Sequence, residues 1–179
     1  MSEIIIVGNR IPHRFFLTSG TGESDICVNA GSYHMALKKA GIDMCNIMRY
    51  SSILPEQAEE VSKPNNIAHG CVMETIEAKA DACKGQRATA GIGYGWLYGK
   101  DKKRHGGIVA EYDGDLPIVS AKESLEASLK EIAAGFKGRR LFDINFRLET
   151  IVPTKKYGTS IVSLCFVDYI WPIKRANLS

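Results

Sequence analysis

The sequence predicts a single α+β domain in which β-strands predominate over helices. Its 179 residues are enough for one ordinary domain with its own hydrophobic core. Most of the chain consists of β-prone segments bounded by turn residues, and two segments have the periodicity of amphipathic helices. No internal repeat or low-complexity linker divides the sequence. We therefore expect residues 1–179 to form one domain of the α+β class.

The composition excludes several classes of protein. Hydrophobic residues make up 45% and charged residues 24%, which is typical of a soluble globular protein and not of a disordered one. The net charge of +3 is too small to indicate nucleic-acid binding, and the basic run Lys100–His105 predicts a solvated loop. No segment approaches the roughly 20 apolar residues of a membrane span, and the first residues lack the features of a signal peptide. We expect a cytoplasmic protein without a nucleic-acid or membrane partner.

The cysteines and histidines indicate neither a metal site nor a disulfide framework. The five cysteines are odd in number, scattered and without CxxC spacing, which is typical of reduced thiols. Cys45 and Cys71 lie in apolar segments, where an unpaired cysteine usually packs as a small core residue. The four histidines lack metal-ligand spacing, and no serine has the GxSxG context of a hydrolase nucleophile.

The amino-terminal part of the chain predicts a strand, a loop, a helix and a second strand. His13–Ser19 is β-prone, and the glycines and hydroxyl residues of SGTGESD (residues 19–25) predict a loop after it. Ser32–Ala40 has helical spacing of its apolar residues, and Gly41 predicts the end of that helix. Cys45–Tyr50 predicts a short strand.

Two long strands are predicted in the centre of the chain. Pro55 requires a turn or an edge strand, and the polar segment Glu56–Asn66 predicts a surface excursion. Ala68–Ala80 and Arg87–Tyr98 are then β-prone on either side of a short turn. The second contains GIGYG, which lacks the following helix of a phosphate loop and instead predicts a strand that other groups approach closely.

The carboxy-terminal part predicts one long helix among three strands. Ser120–Phe136 begins with a possible capping box of Ser120 and Glu123. Its predicted apolar stripe consists of Leu125, Leu129, Ile132 and Phe136. The strand segments are Gly106–Tyr112, Phe142–Val152 and Ser160–Trp171.

The serine pair Ser51–Ser52 allows two interpretations. Serines at a strand end usually mark a turn. A serine can also attack the carbonyl of the preceding residue when the backbone is strained and donors stabilise the oxyanion. The resulting ester can eliminate to dehydroalanine, which hydrolyses to a pyruvoyl group. The residue types alone permit this chemistry at Ser52 without selecting it.

Several longer motifs resemble the pyruvoyl-dependent arginine decarboxylase family. RYSSILP (residues 49–55), preceded by AGIDMCN (residues 40–46), resembles the self-cleavage region of that family. The resemblance continues, in order, through the further segments SGTGESD, HGCVMETIEA, ATAGIGYGWLYGKDK and GGIVAEYDG. It therefore covers nearly the whole chain.

The resemblance implies a zymogen that cleaves itself between Ser51 and Ser52. The β chain would be residues 1–51, and the α chain, residues 52–179, would begin with a pyruvoyl group made from Ser52. The implied fold is a four-layer αββα sandwich. The implied assembly is a homotrimer, or a hexamer of two trimers, with active sites between subunits.

The resemblance also implies the roles of four residues at the cleavage site. Glu111 occupies the position of the general acid, and the apolar flank IVAEY predicts a buried carboxyl that keeps its proton. Asn46 matches an asparagine that can hold the substrate carboxylate or the oxyanion of self-cleavage. Ser51 supplies the carbonyl that Ser52 attacks.

The expected substrate-binding helix departs from the family pattern. His34 stands where family members carry an aspartate for the guanidinium of arginine, and a histidine cannot form that bidentate pair. Asp25 or Glu23 in the upstream segment are the alternatives.

The expected function is decarboxylation of arginine to agmatine and carbon dioxide, in polyamine biosynthesis or in the consumption of protons in acid. Two alternatives remain at this point. One is the same chemistry on another amino acid, which His34 favours. The other is an uncleaved, non-enzymatic homologue that binds a small ligand.

Overall fold

The structure is a computed structural model that describes residues 3–177 and confirms the α+β class. Strands and helices, in chain order, are β1 (Glu3–Val7), β2 (Ile11–Pro12), β3 (Arg14–Ser24), one turn of π-helix (Val28–Tyr33), α1 (His34–Ala40), β4 (Asn46–Arg49), β5 (Ile53–Leu54), β6 (Glu59–Glu60), β7 (Val72–Cys83), β8 (Ala88–Tyr98), β9 (Arg104–Gly114), α2 (Ile118–Ala134), β10 (Arg140–Ile151), β11 (Tyr157–Phe166), β12 (Tyr169–Ile170) and β13 (Ile173–Asn177). Neither helix of this part of the chain is long and apolar enough to cross a membrane.

Two larger sheets contain most of the strands. The five-stranded sheet has the order β4-β7-β11-β3-β6, in which β4 and β6 are parallel to their neighbours and the other pairs are antiparallel. The four-stranded sheet has the order β10-β8-β9-β5 and is antiparallel throughout. Two further two-stranded pairs are formed by β1 with β13 and by β2 with β12. Of these four short strands, β12 alone lies within a segment that the sequence predicted as a strand.

The main hydrophobic core lies between the two larger sheets. β3, β7 and β11 contribute residues such as Phe15, Ile76 and Leu164, while β8 and β9 contribute Ile92 and Val109, all of them buried. Because side chains alternate along a strand, the other face of each sheet is free to pack against a helix. α1 packs against β3 and β11, and α2 packs against β8, β9 and β10.

The predicted loop SGTGESD is wrong, because Ser19–Ser24 form the second half of β3 and only Asp25 lies beyond the strand. The reason is the close approach of the first helix to Gly20 and Gly22. A Cβ atom at Gly20 would lie 2.2 Å from the carbonyl oxygen of Ala36, and one at Gly22 would lie 2.2 Å from that of Ser32. The glycines therefore serve helix packing rather than a turn.

The glycines of GIGYG have the predicted role. Cβ atoms at Gly91 and Gly93 would lie 2.9 Å from side-chain carbons of Leu125 and Phe146, respectively. Glycine in β8 thus allows α2 and β10 to pack directly on the backbone of this strand. The prediction of a closely approached strand is confirmed.

The long helix is confirmed, but its predicted cap and part of its stripe are wrong. α2 begins at Ile118 after Pro117, with no side-chain capping hydrogen bond, so Ser120 lies inside the helix. Leu125 and Leu129 are buried as predicted, whereas Ile132 is 39% exposed. The helix starts earlier because the carbonyl of Pro117, the residue just before it, accepts the first intrahelical hydrogen bond, from the Ala121 N–H at 2.9 Å.

We predict that Gly22→Ala destabilises the protein, because the new methyl group meets backbone atoms that cannot move without displacing the helix. The free energy of unfolding should fall by about 3 kcal/mol, the upper end for an overpacked site. Urea unfolding followed by circular dichroism measures the change. Gly8→Ala is the matched control, since its Cβ would make only an ordinary 3.5 Å contact with Pro172. Equal unfolding midpoints for the two variants would contradict the prediction.

Candidate active site

The serine pair lies where the chain crosses from one large sheet to the other. The strand before it, β4, pairs with β7 in the five-stranded sheet, and the strand after it, β5, pairs with β9 in the four-stranded sheet. The Tyr50 N–H donates to the carbonyl of Thr75 at 2.7 Å, and the Val109 N–H donates to the carbonyl of Ser52 at 3.0 Å. The peptide between Ser51 and Ser52 is therefore held from both sides.

This crossing brings Ser52 to Glu111, although the two residues are 59 positions apart in sequence. The Ser52 hydroxyl donates to the carboxylate, with distances of 2.7 Å to Oε1 and 2.9 Å to Oε2. Glu111 lies two residues after Val109 on β9, so both side chains project from the same face of the strand, the face on which Val109 packs in the core between the sheets. A carboxylate in this contact can accept the hydroxyl proton and so activate Ser52 as a nucleophile.

The carbonyl of Ser51 has a backbone donor that the sequence did not reveal. The Ile53 N–H donates to this oxygen at 3.1 Å, which makes Ser52 the centre of a three-residue turn. Such a donor can stabilise negative charge on the Ser51 oxygen when the carbonyl is attacked. No residue pattern could have indicated it, because every residue except proline has this N–H group.

The backbone of the serine pair does not have the left-handed geometry that would indicate strain. Outside glycine, positive φ angles within residues 3–177 occur only at Lys102 and Asp143. The turn at Ser52 is therefore of the common kind found at strand ends. The Ser51 carbonyl is positioned by its hydrogen bond from the Ile53 N–H and not by a left-handed backbone.

Glu111 is exposed in the single chain. The prediction that its apolar flank buries the carboxyl is therefore wrong for one chain by itself. The flanking residues Val109 and Ala110 are buried, but the exposed part of β9 begins at Glu111. Ser52 is half-buried and Ser51 is exposed. Within one chain the site is an open surface with its reacting groups already in contact.

Asn46 does not meet Ser52 within one chain. It begins β4, and its side-chain amide donates to the carbonyl of Gly70 at 2.9 Å. The strand separates it from Tyr50 by roughly 13 Å at the usual rise per residue. The Ile53 N–H, and not the Asn46 amide, is the donor at the Ser51 carbonyl of the same chain.

Glu23 and Asp25 also lie away from the serine pair. Glu23 accepts hydrogen bonds from the backbone of Thr154 and Lys155, and Asp25 accepts one from Lys156 at 3.1 Å. The Thr154 N–H is the chief reason that the pKa of Glu23 is lowered. Both carboxylates therefore hold the turn between β10 and β11.

The strand registers show how far these carboxylates are from the crossing. Glu23 pairs with Gly158 on β11, whereas the crossing adjoins the other end of that strand, where Cys165 pairs with Thr75. Along the strand this is roughly 23 Å. His34 is exposed at the start of α1, near Gly22 and the same distant end. None of the three predicted substrate-binding residues reaches Ser52 of its own chain.

Two buried carboxylates on β7 anchor the chain just before the serine pair. Glu74 is buried and pairs with Arg10, whose guanidinium also donates to the hydroxyl of Tyr50 at 3.1 Å. Burial, and then Glu74, raise the pKa of Tyr50. The sequence contained a signal for this cluster, since Glu74 shares one face of β7 with the apolar residues Ile76, Ala78 and Ala80.

The second carboxylate, Glu77, holds the end of β4. Its fully buried side chain accepts hydrogen bonds from Arg49 at 2.7 Å, Tyr33 at 3.1 Å and Ser163 at 3.0 Å. Burial, and then the charge of Glu77, raise the pKa of Tyr33 to about 12. Tyr33 therefore remains a hydrogen-bond donor to Glu77 at neutral pH.

Within residues 3–177, no three histidine, cysteine or acidic side chains are grouped in a way that could hold a metal ion.

Comparisons with known proteins agree on one family. A family model described as pyruvoyl-dependent arginine decarboxylase matches residues 14–170, a range that includes the serine pair and Glu111. A pyruvoyl-dependent arginine decarboxylase of Methanococcus vannielii is 33% identical over 130 residues, covering 72% of this chain and 73% of the relative. One of Chlamydia muridarum is 30% identical over 184 residues, covering 90% of this chain and 94% of the relative. One of Thermococcus kodakarensis is 29% identical over 129 residues, covering 72% and 76%.

Proposed function

The chain belongs to the pyruvoyl-dependent arginine decarboxylase family, and we propose that it converts arginine to agmatine and carbon dioxide with a pyruvoyl group made from its own Ser52. The observation that carries the proposal is the contact of the Ser52 hydroxyl with Glu111, at 2.7 Å, beside a carbonyl that already has a backbone donor. A turn that only connects two strands does not require this combination.

Self-cleavage follows from these contacts. Glu111 takes the proton of the Ser52 hydroxyl while the Ser52 side-chain oxygen attacks the carbonyl carbon of Ser51. The Ile53 N–H stabilises the negative charge that develops on the Ser51 carbonyl oxygen. Breaking the C–N bond gives an ester and a free amino group on residue 52. Loss of the Ser52 α-proton then expels the Ser51 carboxylate. Water replaces the nitrogen of the remaining dehydroalanine, which leaves ammonia and the pyruvoyl group.

The structure fits a pyruvoyl group at this position. The carbonyl of residue 52 remains in the product, and its hydrogen bond from the Val109 N–H keeps the group on β9 beside Glu111. A bound pyruvoyl group supplies an electron-accepting carbonyl for the electron pair released when carbon dioxide leaves. Glu111 is then the group that delivers a proton to the α-carbon of the substrate.

We propose that a homotrimer, or a hexamer of two trimers, completes the site between subunits. Two features support this. Glu111 is exposed in the single chain, and a neighbouring copy can supply the burial that keeps a proton on a carboxylate. His34, Glu23 and Asp25 lie roughly 20 Å or more along the sheet from Ser52 of the same chain. The corresponding three residues of another copy of the chain are free to approach Ser52.

The family's four-layer αββα sandwich is part of the same proposal. It is supported by the core between the two larger sheets and by the packing of α1 and α2 against different sheets. The length of 179 residues supports a single domain, and the scattered, odd-numbered cysteines support a location in the cytoplasm. The small net charge of +3 supports a function without a nucleic-acid partner, and we expect no membrane partner either. The amino-terminal β chain would be residues 1–51 and the α chain residues 52–179.

A second candidate keeps the chemistry and changes the substrate. It is favoured by His34, which cannot form the bidentate contact that a carboxylate makes with a guanidinium. An uncleaved protein that only binds a small ligand is the alternative from another class. The Ser52–Glu111 contact speaks against it, because ligand binding alone does not need a nucleophile with its base.

We predict that the purified protein consists of two chains that separate on denaturation. Its intact mass should show fragments that break between Ser51 and Ser52, with no free amino group at the start of the larger one. Ser52→Ala should give a single 19.7 kDa chain without activity, because the nucleophile is missing. Ser51→Ala is the matched control and should still be cleaved, since only the carbonyl of residue 51 reacts. A wild-type chain that stays intact on long incubation would favour the binding protein.

We predict that Glu111→Gln slows both self-cleavage and turnover, because the amide can neither accept the Ser52 proton nor deliver one to the substrate. Agmatine formation per cleaved chain should fall by about 10²–10⁴-fold, the usual contribution of a general acid. Asp113→Asn, one pleat further along the same strand, is the control that should leave both rates unchanged. If each cleaved Glu111→Gln chain formed agmatine as fast as a wild-type chain, the prediction that Glu111 is the general acid would be wrong.

We predict that arginine is the fastest substrate and that His34→Asp improves its use. A carboxylate at residue 34 can pair with the guanidinium, so KM for arginine should fall by about tenfold, as for one charge-assisted contact. Carbon dioxide release from arginine, ornithine, lysine, histidine and glutamate measures the preference. If another amino acid reacted faster in the wild type, the second candidate would replace arginine.

A further inference from the structure

Two cysteines that the sequence predicted to be unrelated core residues meet across neighbouring strands. The sulfur atoms of Cys45 and Cys71 are 3.4 Å apart. Asn46 is paired with Val72 in the parallel register of β4 and β7, so Cys45 and Cys71 occupy the preceding pair of positions. The Asn46 N–H donates to the carbonyl of Cys71 at 2.8 Å, which holds the two backbones together at this point.

The geometry suits a disulfide without movement of the backbone. Paired strands are about 4.8 Å apart, within the range of about 4.4–6.8 Å found between the Cα atoms of disulfide-bonded cysteines. Shortening the sulfur–sulfur distance from 3.4 Å to a bond requires only rotation of the side chains. Both cysteines are half-buried, so a small oxidant has access to them.

A disulfide between Cys45 and Cys71 would span the proposed cleavage site. Cys45 precedes the serine pair and Cys71 follows it, so the two thiols belong to different chains once the peptide between Ser51 and Ser52 is cut. We propose that Cys45 and Cys71 form a redox modification site, at which a reversible disulfide joins the two chains of the matured protein. The linkage of two separate chains rests on the proposed self-cleavage. The formation of the disulfide itself does not depend on cleavage.

The chemistry is thiol–disulfide exchange with a small disulfide such as oxidised glutathione. The thiolate of one cysteine attacks a sulfur of the small disulfide and releases one glutathione thiolate. The thiolate of the other cysteine then attacks the mixed disulfide and releases the second. The two protein thiols are oxidised and one glutathione disulfide is reduced, and the two protons lost by the protein thiols are taken up by the two released glutathione thiolates.

The environment makes this reaction slow at neutral pH. Burial, and then the neighbouring Cys71 sulfur, raise the pKa of Cys45 to about 12. The Cys45 thiol is therefore protonated at neutral pH, and a thiol attacks a disulfide only as its thiolate. The bond is expected to form under sustained oxidation and to persist until a reductant restores the thiols.

The disulfide would also tie the strand that carries Asn46. β4 is a strand of four residues, and within residues 3–177 it lies at the edge of its sheet with β7 as its one paired strand. A covalent bond at its first end would keep the Asn46 amide against Gly70. The short amino-terminal chain would then remain attached to the larger chain even when the noncovalent contacts are lost.

The test treats the matured wild-type protein with excess oxidised glutathione, blocks the remaining thiols with N-ethylmaleimide, and measures mass under denaturing conditions. Without reductant we expect one disulfide-linked species containing both chains, and with reductant the two separate chains. Cys45→Ser and Cys71→Ser should each abolish the linked species. Cys165→Ala is the matched control, because this cysteine is buried near Cys45 and lies on β11, and the linked species should survive its loss.

A parallel experiment on Ser52→Ala separates the two proposals. This uncleaved chain should lose two blockable thiols on oxidation and yield a peptide in which Cys45 is bonded to Cys71. That result together with an intact wild-type chain would defeat the proposed self-cleavage and leave the cysteine pairing in place. Chains that separate without reductant after oxidation, or a linked species that survives Cys71→Ser, would overturn the pairing itself.

Discussion

The crossing of the chain from one sheet to the other at residues 50–52 is the constraint on which the site depends. Hydrogen bonds from Tyr50 to Thr75 and from Val109 to Ser52 hold this segment to different sheets. The Ser52 hydroxyl consequently meets Glu111, and the Ser51 carbonyl meets the Ile53 N–H. If the peptide is cut here, each new chain end stays on its own sheet, so the core between the sheets need not come apart.

The edge strand before the crossing needs more than its own four residues to stay in place. Buried charges are costly unless they are paired and hydrogen-bonded. Glu77 meets this requirement on one face of β7 through Arg49, Tyr33 and Ser163. On the other face Glu74 pairs with Arg10 through Oε1, while its buried Oε2 has no hydrogen-bond partner among the described residues. Because removal of a partner would leave a buried carboxylate unpaired, these contacts define where β4 and Tyr50 lie.

In the single chain, the candidate site has Ser52 and Glu111 in contact, and its outer side is open. Glu111 is exposed, and the carboxylates of Glu23 and Asp25 are used by a turn at the far end of the sheet. An assembly with sites between subunits accounts for both features, because another copy can cover Glu111 and approach Ser52 with its own side chains. The Cys45–Cys71 pair, in contrast, is complete within one chain.

The sequence by itself determined the features that depend on local periodicity. Alternating and apolar runs predicted the long strands β7 to β11 and the helix α2, and the motifs identified Ser52 and Glu111. Only the tertiary structure decided which distant groups meet, because contacts such as that of Ser52 with Glu111 depend on sheet pairing between residues 59 positions apart. For the same reason SGTGESD was predicted as a loop, since nothing within those residues shows that a helix packs on their glycines. The Ile53 N–H and the meeting of Cys45 with Cys71 likewise follow from backbone geometry and strand register, which residue types alone do not specify.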